Sequence, residues 1–477
     1  MNRLHVECKF MHGWHLSKKN PLPSDAHLCN IPKMTPFFPY SLRPFHTPHF
    51  SRLFRFLAPS AILLAAALPS GAGSVVKVEK NAADAFELRR DGKPFFINGA
   101  GGTHNLEDLV KYGGNSIRTW GIEQLDEKVA GKTLLDRAQE LGLTVTAGIW
   151  IKAERQGFNF SDPAKIAQLQ QEVRNAVKKY KDHPALLMWG LGNEMEGPNG
   201  SNPAVWKVLD GLARVIKEED PNHPVMTAIA GAAPNKIQGI MANYPSLDVL
   251  GVNAYAGAAG LGKALMDLGW KKPFVLTEFG PVGHWETAKT SWGAPIEPTS
   301  RDKAASYYAT ETNVLKDGAG FCLGSYVFLW GNKQEVTATW YGMFLKSGEK
   351  LPSVDAIVRA WSGKWPENRC PKILKFESSL REAVVGANQS CKASAQVEDP
   401  EGDAVTYAWA VLPESTSVHA GGDAEAVPQP VEGCIVSQSG SDVSLRTPGK
   451  PGAYRLFLTV RDGKGSASAD NIPFLVK

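Results

Sequence analysis

From about residue 95 to residue 361, short apolar runs alternate with amphipathic stretches of helical period. Eight runs have the length and composition of buried parallel strands: 95–99, 116–120, 144–149, 186–190, 225–229, 249–253, 274–277 and 323–329. Helix starts are visible between them, at Ser161-Asp162-Pro163 and at Asn202-Pro203. The pattern predicts eight strand-helix units.

Eight such units match an α/β fold, the (β/α)8 TIM barrel, whose typical size is about 250 residues. In this fold the functional site lies at the carboxyl ends of the strands. Polar and aromatic residues end six of the predicted strands, which neither a helix bundle nor an open sheet would explain. Ahead of the barrel, residues 86–96 with an Asp91-Gly92 turn predict a hairpin that leads into the first strand.

After about residue 375 the chain alternates between apolar and polar residues with frequent turn signals, as in 405–411 and 454–460. This pattern predicts a small C-terminal β-sandwich. The strings 399–403, 406–409 and 458–463 resemble polycystic-kidney-disease-type and cadherin-like immunoglobulin folds. Asp399, Asp403 and Asp462 suit a calcium site, although turn chemistry explains them more simply. We expect three parts: a targeting region (1–73), a barrel domain with its hairpin (74–365) and an immunoglobulin-like domain (366–477).

Composition and charge describe a globular chain without a nucleic-acid partner. The 477 residues are 43% hydrophobic and 21% charged, enough for a full core. The formal net charge of +4 comes from residues 1–73, which hold eight Lys and Arg against two Asp and Glu. The remaining 44 basic and 46 acidic side chains form no basic stripe interleaved with aromatic residues.

The N-terminal region has the order of a secretory signal peptide. Arg52 and Arg55 precede an apolar run at 56–68, and small residues follow at 69–73. The run is too short to span a membrane, so we expect cleavage near Ala72 or Gly73, secretion or periplasmic export, and no stable membrane insertion afterwards. The alternative is an uncleaved membrane anchor.

Four cysteines follow the targeting region. Cys391 and Cys434 lie in the same C-terminal segment and form a candidate disulfide, although sequence alone does not fix connectivity. Cys322, in an apolar strand, is the more usual case of a buried free thiol. No Cys/His spacing resembles a metal site, and no glycine-rich loop has a phosphate-binding pattern. We therefore expect neither a metal nor a cofactor.

Two glutamates stand at the ends of apolar strands. Glu194 closes the string Trp189-Gly190-Leu191-Gly192-Asn193-Glu194, and Glu278 lies in Thr277-Glu278-Phe279-Gly280. A carboxylate removed from water without partners loses several kcal/mol, so this placement favours catalysis over packing. Glycosidic bonds are usually broken by two such carboxyl groups, about 5–5.5 Å apart in retaining enzymes.

These motifs resemble clan A glycoside hydrolases, the 4/7 superfamily. Residues 86–365 are most similar to the family 2 catalytic domain, with family 5 as the nearest rival. The resemblance implies a retaining glycosidase that cleaves β-linked carbohydrate, with Glu194 as acid/base and Glu278 as nucleophile. A structural ion pair is the alternative role for each glutamate.

The resemblance also implies a substrate-binding set. Asn193 would hydrogen-bond the sugar 2-hydroxyl and Trp330 would form a stacking floor, while the other expected members are Arg118, Tyr255, His104 and Trp150. Each has a plain alternative: a salt bridge for Arg118, packing for Tyr255 and Trp330, and barrel-rim packing for Trp150. Trp120, Trp285 and Trp340 are further aromatic candidates of the same kind.

Two other functions remain open at this point. A transglycosylase of the same clan would use the same residues and differ only in its acceptor. An inactive carbohydrate-binding or adhesion protein would keep the fold, but the intact glutamates argue against it. The expected partner is an oligo- or polysaccharide, with glycan or cell-surface contact through the C-terminal domain. Only about a dozen residues separate the cleavage site from the hairpin, so the N-terminal sandwich domains usual in family 2 are not expected, and the sugar stays open.

Overall fold

A computed structural model describes residues 73–197, 200–416 and 423–477. The predicted signal peptide therefore lies outside the described residues. Within these ranges, no helix is both long enough and apolar enough to cross a membrane.

The barrel is preceded by a three-stranded antiparallel sheet, β1 (Val76–Lys80), β2 (Phe86–Arg90) and β3 (Lys93–Phe95). The turn between β2 and β3 places Asp91 and Gly92 at positive φ, as the predicted hairpin requires. Val76 and Leu88 share a core with residues at the beginnings of the barrel strands. The sheet therefore closes the N-terminal end of the barrel, opposite the strand ends that carry the candidate site.

The barrel is made of eight parallel strands with helices between them. In chain order the elements are β4 (Ile97–Gly101), α1 (Leu106–Lys111), β5 (Ser116–Arg118), the short pair β6 (Lys128–Val129) and β7 (Lys132–Thr133), α2 (Leu134–Glu140), β8 (Thr144–Ile149), α3 (Pro163–Tyr180), β9 (Leu186–Asn193), α4 (Pro203–Glu219), β10 (Val225–Ala230), α5 (Pro234–Asn243), β11 (Val249–Asn253), α6 (Leu261–Asp267), β12 (Phe274–Phe279), α7 (Ser300–Asp317), β13 (Cys322–Val327) and α8 (Pro352–Ser362). The sheet closes where β13 pairs with β4. The predicted (β/α)8 barrel is confirmed.

Local sequence explains where the long helices begin. Asp162 caps α3, because its Oδ1 accepts the backbone N–H of Ala164 at 3.0 Å. Asn202 caps α4 in the same way, with Ala204 as donor at 3.0 Å. Each cap is followed by a proline in the first turn, where a missing N–H costs nothing.

The C-terminal region forms two packed four-stranded sheets. Their strands are β14 (Lys372–Ser378), β15 (Val384–Val385), β16 (Ser390–Glu398), β17 (Thr406–Pro413), β18 (Ile435–Ser439), β19 (Asp442–Arg446), β20 (Gly452–Arg461) and β21 (Ala467–Val476). One sheet has the order β14-β16-β19-β18 and the other β15-β21-β20-β17. Trp409 and Phe376 meet edge-to-face at 5.5 Å in the shared core, as the alternating pattern predicts for a sandwich.

Hydrogen bonds join the sandwich to the barrel. Asp470 accepts the backbone N–H of Ser300 at 2.6 Å, and Arg455 donates to the carbonyl of Pro295 at 2.6 Å. Pro295 lies in the segment between β12 and α7, and Ser300 is the first residue of α7. The sandwich therefore packs on a loop that leaves the carboxyl end of a barrel strand, while the boundary at residue 366 stays a prediction.

The acidic turns of the sandwich have ordinary backbone partners. Asp399 Oδ1 accepts the N–H groups of Glu401 and Asp403 at 3.0 and 2.9 Å, and Asp462 Oδ1 likewise accepts two backbone N–H groups. In the described part of the chain, no group of three or more His, Cys, Asp or Glu could hold a metal ion. Turn chemistry accounts for these aspartates.

The candidate disulfide between Cys391 and Cys434 is wrong. Cys391 lies on β16 opposite Leu445 of β19, whereas Cys434 precedes β18, which pairs with the other edge of β19. Two strand spacings of about 4.8 Å separate them, more than a disulfide can bridge. The four cysteines in the described ranges are free thiols.

Tyr326 of β13 provides a test of the barrel core. Its hydroxyl contacts Thr146 Oγ1 at 2.6 Å and Ser116 Oγ at 2.9 Å inside the barrel. We expect Tyr326→Phe to lower the free energy of unfolding by about 1–2 kcal/mol, because a buried hydroxyl loses its partner. Urea unfolding measures this. Tyr308→Phe is the control, because Tyr308 is only half-buried, and equal effects of the two changes would contradict the assignment.

Candidate active site

Glu278 is the best-supported carboxylate at the strand ends. It lies on β12, is 7% exposed, and its Oε1 accepts from Arg118 Nη1 at 2.8 Å and from Trp120 Nε1 at 2.9 Å. The hydroxyl of Tyr255 lies 3.3 Å from Oε2. One cation and two neutral donors therefore face this carboxylate, which is the environment that stabilises a buried negative charge.

Glu194 lies in a strained turn directly after β9. Its φ is +51°, in the left-handed region that side chains other than glycine rarely occupy, and its N–H donates to the carbonyl of Ala228 at 2.9 Å. Gly192 is also left-handed, at φ +75°, and a Cβ there would collide with the Met195 side chain. This tight turn after the strand directs Glu194 toward the barrel axis.

The carboxyl group of Glu194 has fewer partners than that of Glu278. Asn253 Nδ2 donates to its Oε1 at 2.8 Å. Burial first, and then the nearby charge of Glu278, raise the pKa of Glu194 to about 7, although the Asn253 hydrogen bond acts in the opposite direction. Near neutral pH, Glu194 is thus divided between its acid and carboxylate forms.

Asn193 connects the two glutamates. Its Oδ1 accepts from Arg118 Nη2 at 2.7 Å and from Asn253 Nδ2 at 3.1 Å, while Asn253 Oδ1 accepts from Thr277 Oγ1 at 2.7 Å. The oxygen of Asn193 is therefore committed to the protein. Its amide nitrogen has no hydrogen-bond partner among the described residues and can donate into the cleft.

The structure brings four predicted substrate-binding residues to the strand ends with different roles. Arg118, Asn193 and Tyr255 contact the glutamates or each other. Burial, followed by the charge of Glu278, raises the pKa of Tyr255 well above its usual range, so its hydroxyl remains a donor. Trp150 directly follows β8, the strand that neighbours β9 in the barrel, and it is 39% exposed.

His104 lies on the exposed loop between β4 and α1, at the same end of the barrel. It lies beside Gly331, since a Cβ added to that glycine would be 3.8 Å from His104 Cδ2. The structure shows no hydrogen bond from His104 to a glutamate.

The expected role of Trp330 as a stacking floor is not supported by its placement. The ring is 1% exposed, its Nε1 donates to the carbonyl of Asn105 at 3.0 Å, and it stacks on Trp361 at 6.4 Å. A ring packed in the core on both sides has no face for a sugar. The packing alternative is the one that the structure favours.

The sequence does not predict three of the contacts at this site. Trp120, an aromatic candidate for stacking or rim packing, donates to Glu278, Asn253 donates to Glu194, and Thr277 donates to Asn253. Asn253 closes β11 just as Asn193 closes β9, a polar amide after an apolar run, and this shared signal would have identified it. No sequence signal predicts that the Trp120 indole points at Glu278.

Another buried glutamate, Glu196, lies in the turn that follows β9 and carries Glu194. Glu196 Oε1 accepts from Lys236 Nζ and from the backbone N–H of Ala230, both at 2.9 Å. The two side chains are 1% and 3% exposed. These contacts connect the turn after β9, which carries Glu194, to the end of β10 and to the first turn of α5.

Part of the barrel matches the model of a known protein family. Residues 128–284 match the family model "Glycosyl hydrolases family 2, TIM barrel domain". The matched segment contains Asn193, Glu194, Asn253, Tyr255 and Glu278. The barrel is therefore similar to the catalytic domain of this family over about a third of the chain.

Two curated relatives and one solved structure that are similar to this chain have the names of glycosidases. Mannan endo-1,4-beta-mannosidase F of Aspergillus fumigatus is 24% identical over 231 residues, 36% of this chain and 50% of that protein. A beta-glucuronidase of Streptococcus agalactiae is 27% identical over 215 residues, 39% of this chain and 34% of that protein. The crystal structure of Bacteroides uniformis beta-glucuronidase has 14% identity and a TM-score of 0.46, covering 84% of this chain and 48% of that chain. The chain spans about half the length, or less, of the curated relatives it matches, and the matched family model supports a glycosidase domain in the barrel.

The buried Glu196–Lys236 pair generates a stability prediction. We expect Lys236→Met to lower the free energy of unfolding by about 3–5 kcal/mol, because Glu196 is left buried without its cation. The double change Glu196→Gln with Lys236→Met should recover much of this loss. Urea unfolding compares these variants with Lys263→Met, which removes the exposed Lys263–Asp267 pair and should change stability by less than about 1 kcal/mol. Equal losses for the buried and exposed pairs would contradict this role.

Proposed function

We propose that the chain is a retaining glycoside hydrolase that cleaves β-linked carbohydrate by double displacement. One observation carries the proposal: two neighbouring strand-end glutamates have opposite environments. Glu278 faces a guanidinium and two neutral donors, whereas Glu194 has one amide donor and a pKa raised to about 7. A retaining glycosidase requires this division between a charged nucleophile and a protonated acid.

In the first step, Glu194 in its acid form donates a proton to the glycosidic oxygen. The Glu278 carboxylate attacks the anomeric carbon, and a covalent glycosyl ester forms as the leaving group departs. Arg118 and Trp120 hold the attacking carboxylate in place through Oε1. The free amide nitrogen of Asn193 is suited to donate to the sugar 2-hydroxyl, a contact that strengthens in the transition state.

In the second step, Glu194 becomes a base because the charge of Glu278 is lost. Once Glu278 is esterified it is neutral, and one cause of the raised pKa of Glu194 disappears. Glu194 then accepts a proton from water, which attacks the ester and releases the sugar. With a sugar hydroxyl in place of water, the same step would transfer the glycosyl group, and product masses distinguish the two outcomes.

Export and a glycan-contacting C-terminal domain belong to the same proposal. The order of charged, apolar and small residues at 52–73 supports export, although this segment lies outside the described residues. The resemblance of the sandwich to polycystic-kidney-disease-type domains supports glycan or cell-surface contact. The names of the relatives suggest mannosides and glucuronides for the first activity screen.

Replacing each glutamate tests the assigned roles. On an aryl β-glycoside that the wild-type protein cleaves, we expect Glu278→Ala to lower kcat by roughly 10³-fold or more, because no covalent intermediate forms. For Glu194→Ala, kcat/KM should fall roughly 10²–10⁴-fold with a poor leaving group and much less with 2,4-dinitrophenolate, which departs without a proton. Azide should restore turnover of Glu194→Ala and yield the β-glycosyl azide. An α-glycosyl azide, or full activity of Glu278→Ala, would refute the mechanism.

The pH dependence tests the raised pKa of Glu194. We expect kcat/KM to fall as pH rises through about 7, because ionised Glu194 has no proton to donate. Asn253→Ala removes the hydrogen bond that favours the ionised form, so the pKa of Glu194 should rise and the alkaline limb should move to higher pH. A limb that moves to lower pH in Asn253→Ala would contradict this assignment.

A further inference from the structure

Trp285 is an exposed tryptophan that the double displacement does not use. It follows β12 by six residues and is 55% exposed, the highest value among the tryptophans in the described ranges. Single exposed apolar side chains are common on proteins. Its surroundings are what distinguish this indole.

The loop that carries Trp285 is held rigidly. Glu286 Oε2 accepts the backbone N–H of Gly283 at 2.9 Å and that of Ala256 at 3.2 Å, while the Tyr341 hydroxyl accepts the N–H of His284 at 3.1 Å. The indole lies against the loop, since a Cβ at Gly283 would be 2.6 Å from its Cε2. Its orientation is therefore set before any ligand binds, which reduces the entropy cost of binding.

Trp285 also lies close to the nucleophile. Its ring meets the Tyr255 ring edge-to-face at 5.4 Å, and the Tyr255 hydroxyl contacts Glu278. Phe328 and Tyr341 pack on the same tyrosine at 6.2 and 5.7 Å. Trp285 is the outermost ring of an aromatic wall that leads from Glu278 into solvent.

The two rings that pack on Trp285 are those of Tyr255 and His284, and the charged groups that act on His284 from farther away are mixed in sign, two glutamates and two lysines. Burial lowers the pKa of His284, so this residue is neutral near pH 7, and its ring meets the Trp285 ring at 4.8 Å. Glu286 is committed to two backbone N–H groups. An uncharged ligand with an apolar face suits this surface, and a sugar ring presents such a face through its C–H groups.

We propose that Trp285 is the stacking platform of a second sugar subsite beside the one that holds the reacting sugar. The natural substrate is then a chain of β-linked neutral sugars, not a single sugar on a small aglycone. This inference rests on the proposed function and adds the substrate class. Trp285 acts on recognition of the chain, since it touches neither glutamate.

The test compares long and short substrates. For wild type, Trp285→Ala and Trp285→Phe, kcat/KM is measured on 4-nitrophenyl β-monosaccharides and on hexaoses of β-1,4-mannose, β-1,4-glucose and β-1,3-glucose. We expect the ratio of hexaose to monosaccharide kcat/KM to fall about tenfold in Trp285→Ala, mainly through KM, and to be largely kept in Trp285→Phe.

A matched control removes another exposed tryptophan. Trp365 is 46% exposed and packs on Arg359 at 4.5 Å, just before the predicted domain boundary at residue 366. Trp365→Ala should leave the ratio unchanged. Circular dichroism checks that all variants are folded.

The outcomes separate the two proposals. If Trp285→Ala leaves the ratio unchanged while Glu278→Ala abolishes activity, the subsite is refuted and the glycosidase stands. If no substrate shows turnover that depends on Glu278, the glycosidase is refuted. Isothermal titration of the same hexaoses into Glu278→Gln then tests the subsite by itself. Binding that becomes about tenfold weaker when Trp285→Ala is added supports the subsite. Binding that is unchanged by Trp285→Ala, or no binding at all, overturns the subsite.

Discussion

The buried guanidinium of Arg118 is the interaction on which the active site depends. Glu278 is 7% exposed, and Arg118 Nη1 donates to its Oε1 at 2.8 Å, so this buried carboxyl group is paired with a cation. The second nitrogen of the same group donates to Asn193. One rigid fork thus fixes side chains from β5, β9 and β12, which are not neighbours in sequence, and the closed barrel is what brings these strand ends together.

The two glutamates differ because their partners differ. Both close strands of one barrel, and both are largely removed from water. Arg118 and Trp120 donate to Glu278, whereas among the described residues the Glu194 carboxyl group has one hydrogen-bond donor, the amide of Asn253, and the charge of Glu278 acts on it across the cleft. Two chemically identical groups therefore have different environments, because donors surround Glu278 while its charge acts on Glu194.

The sandwich also contributes to the active-site end of the barrel. Glu297, after β12, is buried and binds Lys303 at 2.7 Å, Thr337 of the loop after β13 at 2.7 Å, and Asn471 of β21 at 2.6 Å. Burial acts to raise the pKa of Glu297, but the nearby cations, Lys303 first, hold it below its usual value. The carboxylate of Glu297 thus connects the loops after β12 and β13 to the C-terminal sheet. The conformation of these two loops therefore depends on the packing of the sandwich.

The sequence by itself determined the barrel, its eight strands and the strand-end glutamates, because apolar runs of strand length and polar residues after them are local patterns. It did not determine side-chain direction. Trp330 turns into the core while Trp120 turns toward Glu278, although both follow apolar strands. The separation of Cys391 from Cys434 by β19 likewise depends on strand order. Only the tertiary structure decided these points, since long-range packing and hydrogen bonds between distant segments select each orientation.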